Sequence, residues 1–427
     1  MTLGIGLLGC GTVGGALATL LADQPDLALR SVAVRSATKA RAAAISSELL
    51  TTDAQAVVDR DDVDIVVEVI GGIEPAKSLI VSALKAGKPV VTANKELISN
   101  CGAELMRVAD DAGVDLLFEA AVAGAIPIVR ALRASLSGED ISRITGIVNG
   151  TTNYILTKMT EDGADYSAAL SEAQRLGYAE RDPTADVEGF DAGAKAAIMA
   201  SIAFNADVVA GDVYHEGISS ITATDIDFAQ RLGHQIKLLA IAEQFLVDGK
   251  QSVGVRVHPA MVPNSHPLAS VRDSFNAVFV EGAASGELMF YGRGAGGAPT
   301  ASAVLGDVLE ASAALRQGGH RPVSVGPRVP IKPIDDLPSA FYVNLEVTDA
   351  AGVLAQVAGA LGQHGVSIRT MEQHDLHDVE HDANGGTARL VFITHAAPER
   401  NLRETLTAFK GMKVVRGVGS VLRVIGQ

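Results

Sequence analysis

Residues 2–23 read TLGIGLLGCGTVGGALATLLAD, and this stretch predicts the fold of the N-terminal part of the chain. The apolar run up to Leu8 predicts a buried strand, and the Ala- and Leu-rich residues at its end predict a helix. Between them, Gly9, Gly11 and Gly14 have the spacing GxGxxG. The first glycine permits a tight turn, the second lets the backbone approach a pyrophosphate, and the third allows close helix–strand packing. The stretch predicts a dinucleotide-binding loop, with a merely tight turn as the alternative.

The second predicted strand, LALRSVAVR, ends at Arg35, with Lys39 and Arg41 close behind. NAD-binding enzymes usually carry Asp or Glu at this position for the ribose 2′-hydroxyl, whereas an arginine binds the 2′-phosphate of NADP. The position therefore favours NADP, with NAD as the open alternative. Otherwise these residues are ordinary surface cations.

Further strands are predicted at Asp64–Ile70, Pro89–Thr92 and Leu116–Glu119, and helical patterns alternate with them. Such alternation is typical of an α/β fold with a doubly wound, parallel, Rossmann-like sheet. Ligands bind at the carboxyl ends of these strands, so Lys95 is a candidate for the nicotinamide and substrate cleft. A surface lysine that opens the next helix is the alternative.

The segment from Glu119 to Ile128 combines one carboxylate with small, apolar and Gly-containing residues. Hard cations prefer carboxylate and carbonyl oxygens as ligands. The segment is therefore a candidate site for a monovalent or divalent cation.

Residues 177–195, GYAERDPTADVEGFDAGAK, are rich in carboxylates and hold a single lysine. Asp191 and Lys195 are four residues apart, so a helix places them on one face. The following run, AAIMASIAFNA, carries no charge, which predicts a buried helix whose ionised groups need a partner or a purpose. A lysine among carboxylates suits proton transfer to or from a polar substrate. The alternative is a surface ion pair, which contributes only about 0.3–0.5 kcal/mol.

The middle of the chain has a different pattern. The β-type runs at 141–148, 252–259 and 277–281 predict a second sheet within an α+β region. Thr222, Thr224 and Asp225 precede a predicted helix that runs through Glu243 and contains His234. A second Gly-rich loop then opens a helix that is expected to return and cover the first domain.

The proline-rich stretch after that helix predicts a linker. Beyond it the strands and helices follow the order βαββαβ, which predicts a ferredoxin-like unit. Three histidines lie between its middle strands, namely His374, His377 and His381. A solvated hairpin loop is preferred there over a metal site.

These patterns divide the chain into three domains and a linker. The predicted domains are 1–128 for nucleotide binding, completed by the returning helix at about 298–318, and 129–297 for substrate binding and dimerisation. The linker is predicted at 319–337 and the ferredoxin-like domain at 338–427.

The composition of the 427 residues narrows the class of protein. The net charge of −15 argues against nucleic acid as a partner. Apolar runs are too short for a membrane span, and no signal peptide is evident. Only Cys10 and Cys101 are present, so a disulfide framework is excluded and a cytoplasmic location is expected.

Taken together, the motifs resemble those of monofunctional homoserine dehydrogenases with a C-terminal ACT domain, over essentially the whole chain. The motifs that carry this resemblance are GLLGCGTVG near the start, TANKELIS at 92–99, FEAAVAGAIPI at 118–128, NGTTNYIL at 149–156, GYAERDPTADVEGFDAGAK at 177–195 and GAGGAPTASAV at 294–304.

The resemblance implies reversible oxidation of L-homoserine to L-aspartate 4-semialdehyde, in threonine, methionine and isoleucine biosynthesis, with hydride transfer to NAD(P). Lys195 would be the acid/base lysine, and Lys95 would lie near the reacting oxygen. Which of the two moves the proton stays open. Glu180 and Asp191 would hold the substrate amino and hydroxyl groups, and Asp186 would be a further substrate-site carboxylate.

The resemblance also implies the cofactor and cation contacts. Thr12, Val13, Gly177 and a glycine near Gly296 would contact the cofactor, in addition to the glycines of the first loop, Arg35 and Lys95. A monovalent cation, expected to be Na⁺, would bind Glu119 and the backbones of Val122, Gly124 and Ile126.

The ACT-like unit implies regulation and assembly. L-Threonine is the expected inhibitor, bound near the loop after the first strand of the unit at Asp349, Gly352, Val353 and Leu354. An open sheet whose edge and one face need cover favours pairing between chains, as a homodimer or homotetramer.

Two rival classes are considered. A non-catalytic amino-acid sensor would lack the acid/base lysine. The presence of Lys195 argues against this class. Aspartate-semialdehyde dehydrogenase needs a nucleophilic cysteine, and Cys10 in the phosphate loop and Cys101 on a helix are poorly placed for that role.

Overall fold

The structure is a computed structural model that describes residues 2–36, 45–320, 326–375 and 386–426. Within these ranges no helix has both the length and the apolar character that a membrane crossing requires. The predicted cytoplasmic location stays a prediction.

The N-terminal sheet is parallel, and the strands next to each other in space are β3, β2, β1, β4, β5 and β6 in that order. These strands are β1 (Leu3–Leu8), β2 (Leu27–Ala33), β3 (Leu50–Thr51), β4 (Ile65–Glu68), β5 (Val90–Thr92) and β6 (Leu116–Leu117). The helices that connect them are α1 (Thr12–Ala22), α2 (Ala54–Val58), α3 (Ala76–Lys85) and α4 (Lys95–Ala112). The chain reverses its direction of travel between β1 and β4, where doubly wound sheets bind their ligands. The predicted Rossmann-like sheet is confirmed.

The second domain is built on an antiparallel run of strands in the order β12, β11, β7, β9, β10. Its strands are β7 (Ile141–Ile147), β8 (Tyr214–His215), β9 (His234–Val247), β10 (Lys250–Pro263), β11 (Phe275–Gly282) and β12 (Gly286–Arg293). Its helices are α5 (Ile128–Arg130), which continues as a π-helix over Ala131–Ser135, α6 (Gly150–Glu161), α7 (Tyr166–Arg175), α8 (Thr184–Val187), α9 (Phe190–Ala203) and α10 (Ala223–Arg231).

The helix predicted after Asp225 and through Glu243 is confirmed as far as Arg231 and wrong beyond it. Helix α10 ends at Arg231, and Gly233 takes a left-handed conformation with φ of 73°, which terminates it. The apolar residues that follow form β9, which pairs with β10 along its whole length. A short apolar run does not distinguish strand from helix by itself.

Helix α11 (Gly297–Gln317) returns to the first domain and packs against α1. Its apolar residues Ala301, Val304 and Val308 are buried in one cluster with Leu17 of α1. The second Gly-rich loop therefore leads the chain back to the nucleotide-binding sheet.

The C-terminal domain has the predicted βαββαβ order. Its main elements are β13 (Pro338–Thr348), α12 (Val353–Gln363), β14 (Ile368–Asp375), β15 (Thr387–Thr394), α13 (Glu399–Gly411) and β17 (Val415–Val424), with the short strand β16 (Ala397–Pro398) beside β13. Neighbouring strands follow the order β17, β13, β15, β14.

The sheet of the C-terminal domain is expected from the sequence to have an edge and a face that another chain must cover. This expectation is wrong, because the same chain covers one edge and both faces of the sheet. The edge strand β17 pairs in parallel with β10 of the second domain, so the two sheets are continuous. One face packs on α12 and α13, and on the other Tyr342, Val391 and Ile393 join the core of the second domain. The uncovered edge and face therefore no longer support pairing between chains. Assembly as a homodimer or homotetramer stays a prediction.

The described part of the predicted linker lies against the second domain. The Val253 amide donates to the Pro330 carbonyl at 3.1 Å, and the Lys332 amide donates to the Val253 carbonyl at 2.9 Å. His374 is half-buried with its ring 5.2 Å from that of Phe228. The other two histidines of the predicted loop, His377 and His381, lie outside the described residues.

Candidate active site

The Gly-rich loop has the geometry that its spacing predicts. Gly9 has φ of 101°, in the region that favours glycine. A Cβ atom on Gly14 would lie 2.4 Å from the Gly9 carbonyl oxygen, so helix α1 packs closely on the strand. A Cβ atom on Gly11 would have no neighbour within 4 Å, which leaves room for a ligand beside the backbone. The loop therefore fits a dinucleotide.

A cavity of about 340 Å³ lies between this loop and the second domain. Both predicted lysines, Lys95 and Lys195, line it. The other lining residues come from the first loop, from the segments after β4, β5 and β6, and from the start of α11 and the turn before it. They include Gly11, Thr12, Val13, Ile70, Gly71, Asn94, Gly124, Gly294, Ala295 and Thr300.

Glu68, at the end of β4, fixes the position of the loop that lines one side of this cavity. Its buried carboxylate accepts hydrogen bonds from the amides of Ile70 and Gly71 at 2.7 and 3.1 Å, and from the Thr92 hydroxyl at 2.5 Å. These bonds fix the loop after β4 and tie it to β5. The sequence analysis missed Glu68, because an acidic residue within an apolar strand carries no local signal of its partners.

The two lysines share one buried carboxylate. Lys195 Nζ donates to Asp191 Oδ2 at 2.7 Å and to the Val148 carbonyl at 2.7 Å. Lys95 Nζ donates to the other oxygen of Asp191. The Lys195 and Asp191 side chains are only 10% and 5% exposed, which rules out the solvated ion pair of the sequence analysis.

Asn149, which the sequence analysis did not assign, links the carboxylates. Its side-chain nitrogen donates to Asp186 at 2.7 Å and to Asp191 at 2.9 Å. Its side-chain oxygen accepts from the Thr152 amide at 2.9 Å and so caps α6. An Asn before a predicted helix indicates a cap. Its hydrogen bonds to Asp186 and Asp191 cannot be predicted locally, because these residues are distant in the chain.

The charges around Asp191 shift the pKa of each neighbour. Burial lowers the pKa of Lys195, and the nearby Lys95 lowers it further against the attraction of Asp191. Burial acts in the same direction on Lys95, but Asp191 outweighs it and raises the pKa of Lys95. The pKa of Asp191 lies well below its ordinary value, because the two lysines outweigh the effect of burial. Burial raises the pKa of Asp186.

Several predicted site residues lie outside the cavity. Glu180 is exposed, and its charge acts on Lys95 from a distance. Gly177 is exposed after α7, and Gly296 caps α11 with φ of 125° next to the lining residue Ala295. Arg35 is exposed beyond β2, while Lys39 and Arg41 lie outside the described residues.

The predicted cation segment follows β6. The carboxylate of Glu119 accepts from the amides of Val129 and Arg130 at 2.9 and 2.8 Å, and burial raises the pKa of Glu119. The Ile126 carbonyl accepts from the Ile128 amide at 2.8 Å. Over the described residues no three His, Cys, Asp or Glu side chains come together as a metal site, so any ion here would depend on backbone carbonyls such as those of Val122 and Gly124.

The predicted regulatory loop joins β13 to α12. The Asp349 amide donates to the Gly386 carbonyl at 2.8 Å. Gly352 caps α12 with φ of 86°, and a Cβ atom there would meet nothing within 4 Å. Val353 is buried beneath the loop, and Leu354 is 38% exposed.

Neither cysteine lines the 340 Å³ cavity, which argues against a cysteine nucleophile. A dinucleotide-binding sheet whose ligand edge faces two lysines and a buried carboxylate defines the class as an NAD(P)-binding oxidoreductase.

Comparisons with known proteins give the particular family. Models of the homoserine dehydrogenase NAD-binding domain, of homoserine dehydrogenase and of the ACT domain match residues 9–119, 127–309 and 341–412. The homoserine dehydrogenase of Corynebacterium glutamicum is 51% identical over 432 residues, which cover 99% of this chain and 95% of that protein. The homoserine dehydrogenase of Mycobacterium tuberculosis is 48% identical over 434 residues, which cover 99% and 98%.

Solved structures agree with the sequence comparisons. A homoserine dehydrogenase from Thiobacillus denitrificans matches with a TM-score of 0.90 at 37% identity, covering 99% of this chain and 98% of the other. A hyperthermophilic archaeal homoserine dehydrogenase in complex with NADPH matches with a TM-score of 0.63 at 30% identity, covering 75% of this chain and all of the other. The chain belongs to the homoserine dehydrogenase family.

Proposed function

We propose that the chain oxidises L-homoserine reversibly to L-aspartate 4-semialdehyde, with Lys195 as the group that takes and returns the hydroxyl proton. The observation that carries this proposal is the pair of lysines held on Asp191 at the cavity beside the Gly-rich loop. The nicotinamide ring of the bound cofactor supplies the hydride acceptor. The reaction would serve threonine, methionine and isoleucine biosynthesis.

The shared carboxylate assigns different tasks to the two lysines. A general base must be deprotonated at the working pH, and Lys195 is the lysine whose pKa is lowered. Lys95 keeps its proton, since its pKa is raised, and so is suited to stabilise negative charge on the reacting oxygen. Asp186 and the exposed Glu180 are suited to bind the substrate ammonium, with Asn149 holding Asp186 in place.

The test is an assay of NADPH oxidation with L-aspartate 4-semialdehyde as the substrate. Turnover of this aldehyde, with L-homoserine as the product, is the expected result. A protein that binds NADPH but does not turn over the aldehyde would contradict the proposal.

NADP is the proposed cofactor, because the position after β2 carries Arg35 in place of a carboxylate. Replacing Arg35 with aspartate is expected to shift the ratio of kcat/KM for NADP over NAD toward NAD by about tenfold or more, since a carboxylate repels the 2′-phosphate. Lys85→Asp is the matched control, because Lys85 is an exposed cation at the carboxyl end of α3, away from the ligand edge. An unchanged ratio in Arg35→Asp would show that Arg35 does not bind the phosphate.

A monovalent cation, Na⁺ by expectation, is proposed at the segment from Glu119 to Ile126. A cation there would offset the burial of the Glu119 carboxylate, whose pKa is raised without it. Purified protein is expected to unfold at a higher temperature in NaCl than in tetramethylammonium chloride at equal ionic strength. Equal unfolding temperatures in the two salts would argue against the site.

Inhibition by L-threonine through the ACT domain is also proposed. The open left-handed position at Gly352 and the N-terminus of α12 would admit an amino-acid carboxylate. Gly352→Asp is expected to raise the threonine concentration for half-inhibition about tenfold or more, since the new carboxylate repels that of the effector.

Gly318→Asp is the matched control for Gly352→Asp, because Gly318 is also an open left-handed helix cap, with φ of 65°. Equal threonine inhibition in Gly352→Asp and wild type would contradict the site. Deletion of residues 338–427 is a poor alternative test, since it would expose the apolar core of the second domain that Tyr342 and Val391 now cover.

A further inference from the structure

Strands β8 and β17 follow one another along the same edge of β10. Tyr214 and His215 pair in parallel with Arg256 and Val257. Further along β10, Ala260 pairs in parallel with Arg423 of β17. A two-residue strand of the second domain thus adjoins the last strand of the C-terminal domain.

An ion pair joins β17 to Glu216, the residue that directly follows β8. The guanidinium of Arg423 donates two parallel hydrogen bonds to the Glu216 carboxylate, both 2.8 Å long, and also contacts Glu399 at the start of α13. It lies 5.6 Å from the centre of the Tyr214 ring. The Arg423 side chain is 7% exposed, and such a fork of charge-assisted bonds in a buried place fixes the orientation of both partners.

His215 lies on the opposite side of β8, because side chains alternate along a strand. Its ring packs against α9 at Gly193, where a Cβ atom would come within 2.2 Å of His215 Nε2. The same ring lies 5.1 Å from that of Phe190. Gly193 stands between Asp191 and Lys195 in the chain, so His215 contacts α9 at the turn that carries both.

The residues after β8 contact the loop between α8 and α9. The Ile218 amide donates to the Val187 carbonyl at 2.8 Å, and the Ser219 hydroxyl donates to Glu188 at 2.8 Å. This loop separates Asp186 from Asp191. The segment from Tyr214 to Ser219 therefore contacts the C-terminal domain on one side. On the other side it contacts the end of α8 and the start of α9, which flank the loop between Asp186 and Asp191.

We propose that β8 couples the C-terminal domain to the active-site turn of α9, with His215 and Glu216 as positioning residues. His215 sets the position of the turn that holds Asp191 and Lys195, and Glu216 ties β8 to Arg423. A displacement of β17 would pass through this ion pair to the lysines, because packed contacts shift as units rather than deform continuously. The regulatory half of this inference rests on the proposed inhibition by L-threonine.

The positioning role of His215 is tested by enlarging the residue at position 193 and shortening the side chain at position 215. Gly193→Ala is expected to lower kcat about tenfold or more, because the new methyl group displaces His215 from α9, and small misplacements in an active site are costly. His215→Ala removes the obstacle, so the double variant should recover kcat to within about threefold of His215→Ala alone. A double variant that is no faster than Gly193→Ala would overturn the positioning role. Relief of the clash would also restore stability, so the free energy of unfolding is measured beside kcat, and a fall of kcat in fully folded Gly193→Ala separates the two effects.

The coupling role is tested with Glu216→Gln, which keeps the size of the side chain and removes its charge. The threonine concentration for half-inhibition is expected to rise about tenfold or more, with Asp336→Asn as the control. Asp336 forms a 3.0 Å pair with Arg400 of α13 and does not contact β8. Equal inhibition of Glu216→Gln and wild type would overturn the coupling. A wild type that threonine does not inhibit would instead contradict the proposed regulation, and the variants at positions 193 and 215 alone would then decide the role of β8.

Discussion

Replacing Lys195 with alanine is expected to lower kcat for L-homoserine oxidation by at least about 100-fold, as loss of a proton-transfer group does. Lys195 lines the cavity and is the lysine whose pKa is lowered, so at a given pH it is more often neutral than Lys95 and therefore available to accept a proton. Dinucleotide affinity, measured by fluorescence titration with NADPH, should change little, because the Gly-rich loop is untouched. Near-wild-type turnover in Lys195→Ala would move the role to Lys95.

Lys158→Ala is the matched control for Lys195→Ala. Lys158 also pairs with an aspartate four residues along its helix, Asp162, at 2.8 Å, but on the surface of α6. Its loss should leave kcat unchanged and change the free energy of unfolding little, because a solvated ion pair is only weakly stabilising. The comparison separates the loss of a proton acceptor from the loss of a helix ion pair.

The pH profile of the wild type gives a further check on Lys195. Oxidation needs its neutral amine, so kcat/KM for L-homoserine should rise with pH through the pKa of Lys195. Burial places this pKa below 10.5, the ordinary value for lysine, so the rise should be complete at a lower pH than an exposed lysine would give. Reduction of the aldehyde needs the protonated amine and should weaken over the same pH range.

Replacing Asp191 with asparagine is expected to produce the second large effect, a loss of both activity and stability. The variant would leave Lys95 and Lys195 side by side without their shared counter-charge. Removing one partner of a buried ion pair typically costs about 3–5 kcal/mol, which denaturant unfolding would measure. kcat/KM should fall by at least about 100-fold, because both lysines lose their common anchor.

The same variant should also shift the pH profile. Asp191 is the group that raises the pKa of Lys195 against burial, so its loss should move the rise of residual activity to lower pH. Asp162→Asn removes the equivalent carboxylate from the surface pair on α6 and should leave activity and pH profile unchanged. If Asp191→Asn kept wild-type stability and kcat/KM, the two lysines would not depend on this carboxylate.

The features that the sequence predicts well are those with local patterns. The spacing of Gly9, Gly11 and Gly14 predicts the nucleotide loop, because close packing and a left-handed turn demand glycine at fixed intervals. The four-residue interval between Asp191 and Lys195 likewise predicts their contact on one helical face. Family resemblance then assigns roles to residues whose positions a local pattern leaves undefined.

The features that the sequence analysis misses depend on contacts between distant residues. Asn149 reaches Asp186, and Glu68 reaches Thr92, across turns of the chain that no local pattern specifies. The run after Gly233 fits either a helix or a strand, and only its pairing with β10 decides for the strand. The cover that β10 provides for β17 is a long-range contact of the same kind.

The continuous sheet also has a consequence for biosynthesis. Strand β10 ends at Pro263 and β17 begins only at Val415, so β10 has already left the ribosome while β17 is still to be made. The edge of β10 near Ala260 must wait for the synthesis of β17 to receive its partner. A nascent or prematurely terminated chain would present an uncovered strand edge, which is a template for aggregation. Synthesis of β17 is therefore the step that removes this exposed edge from a newly made chain.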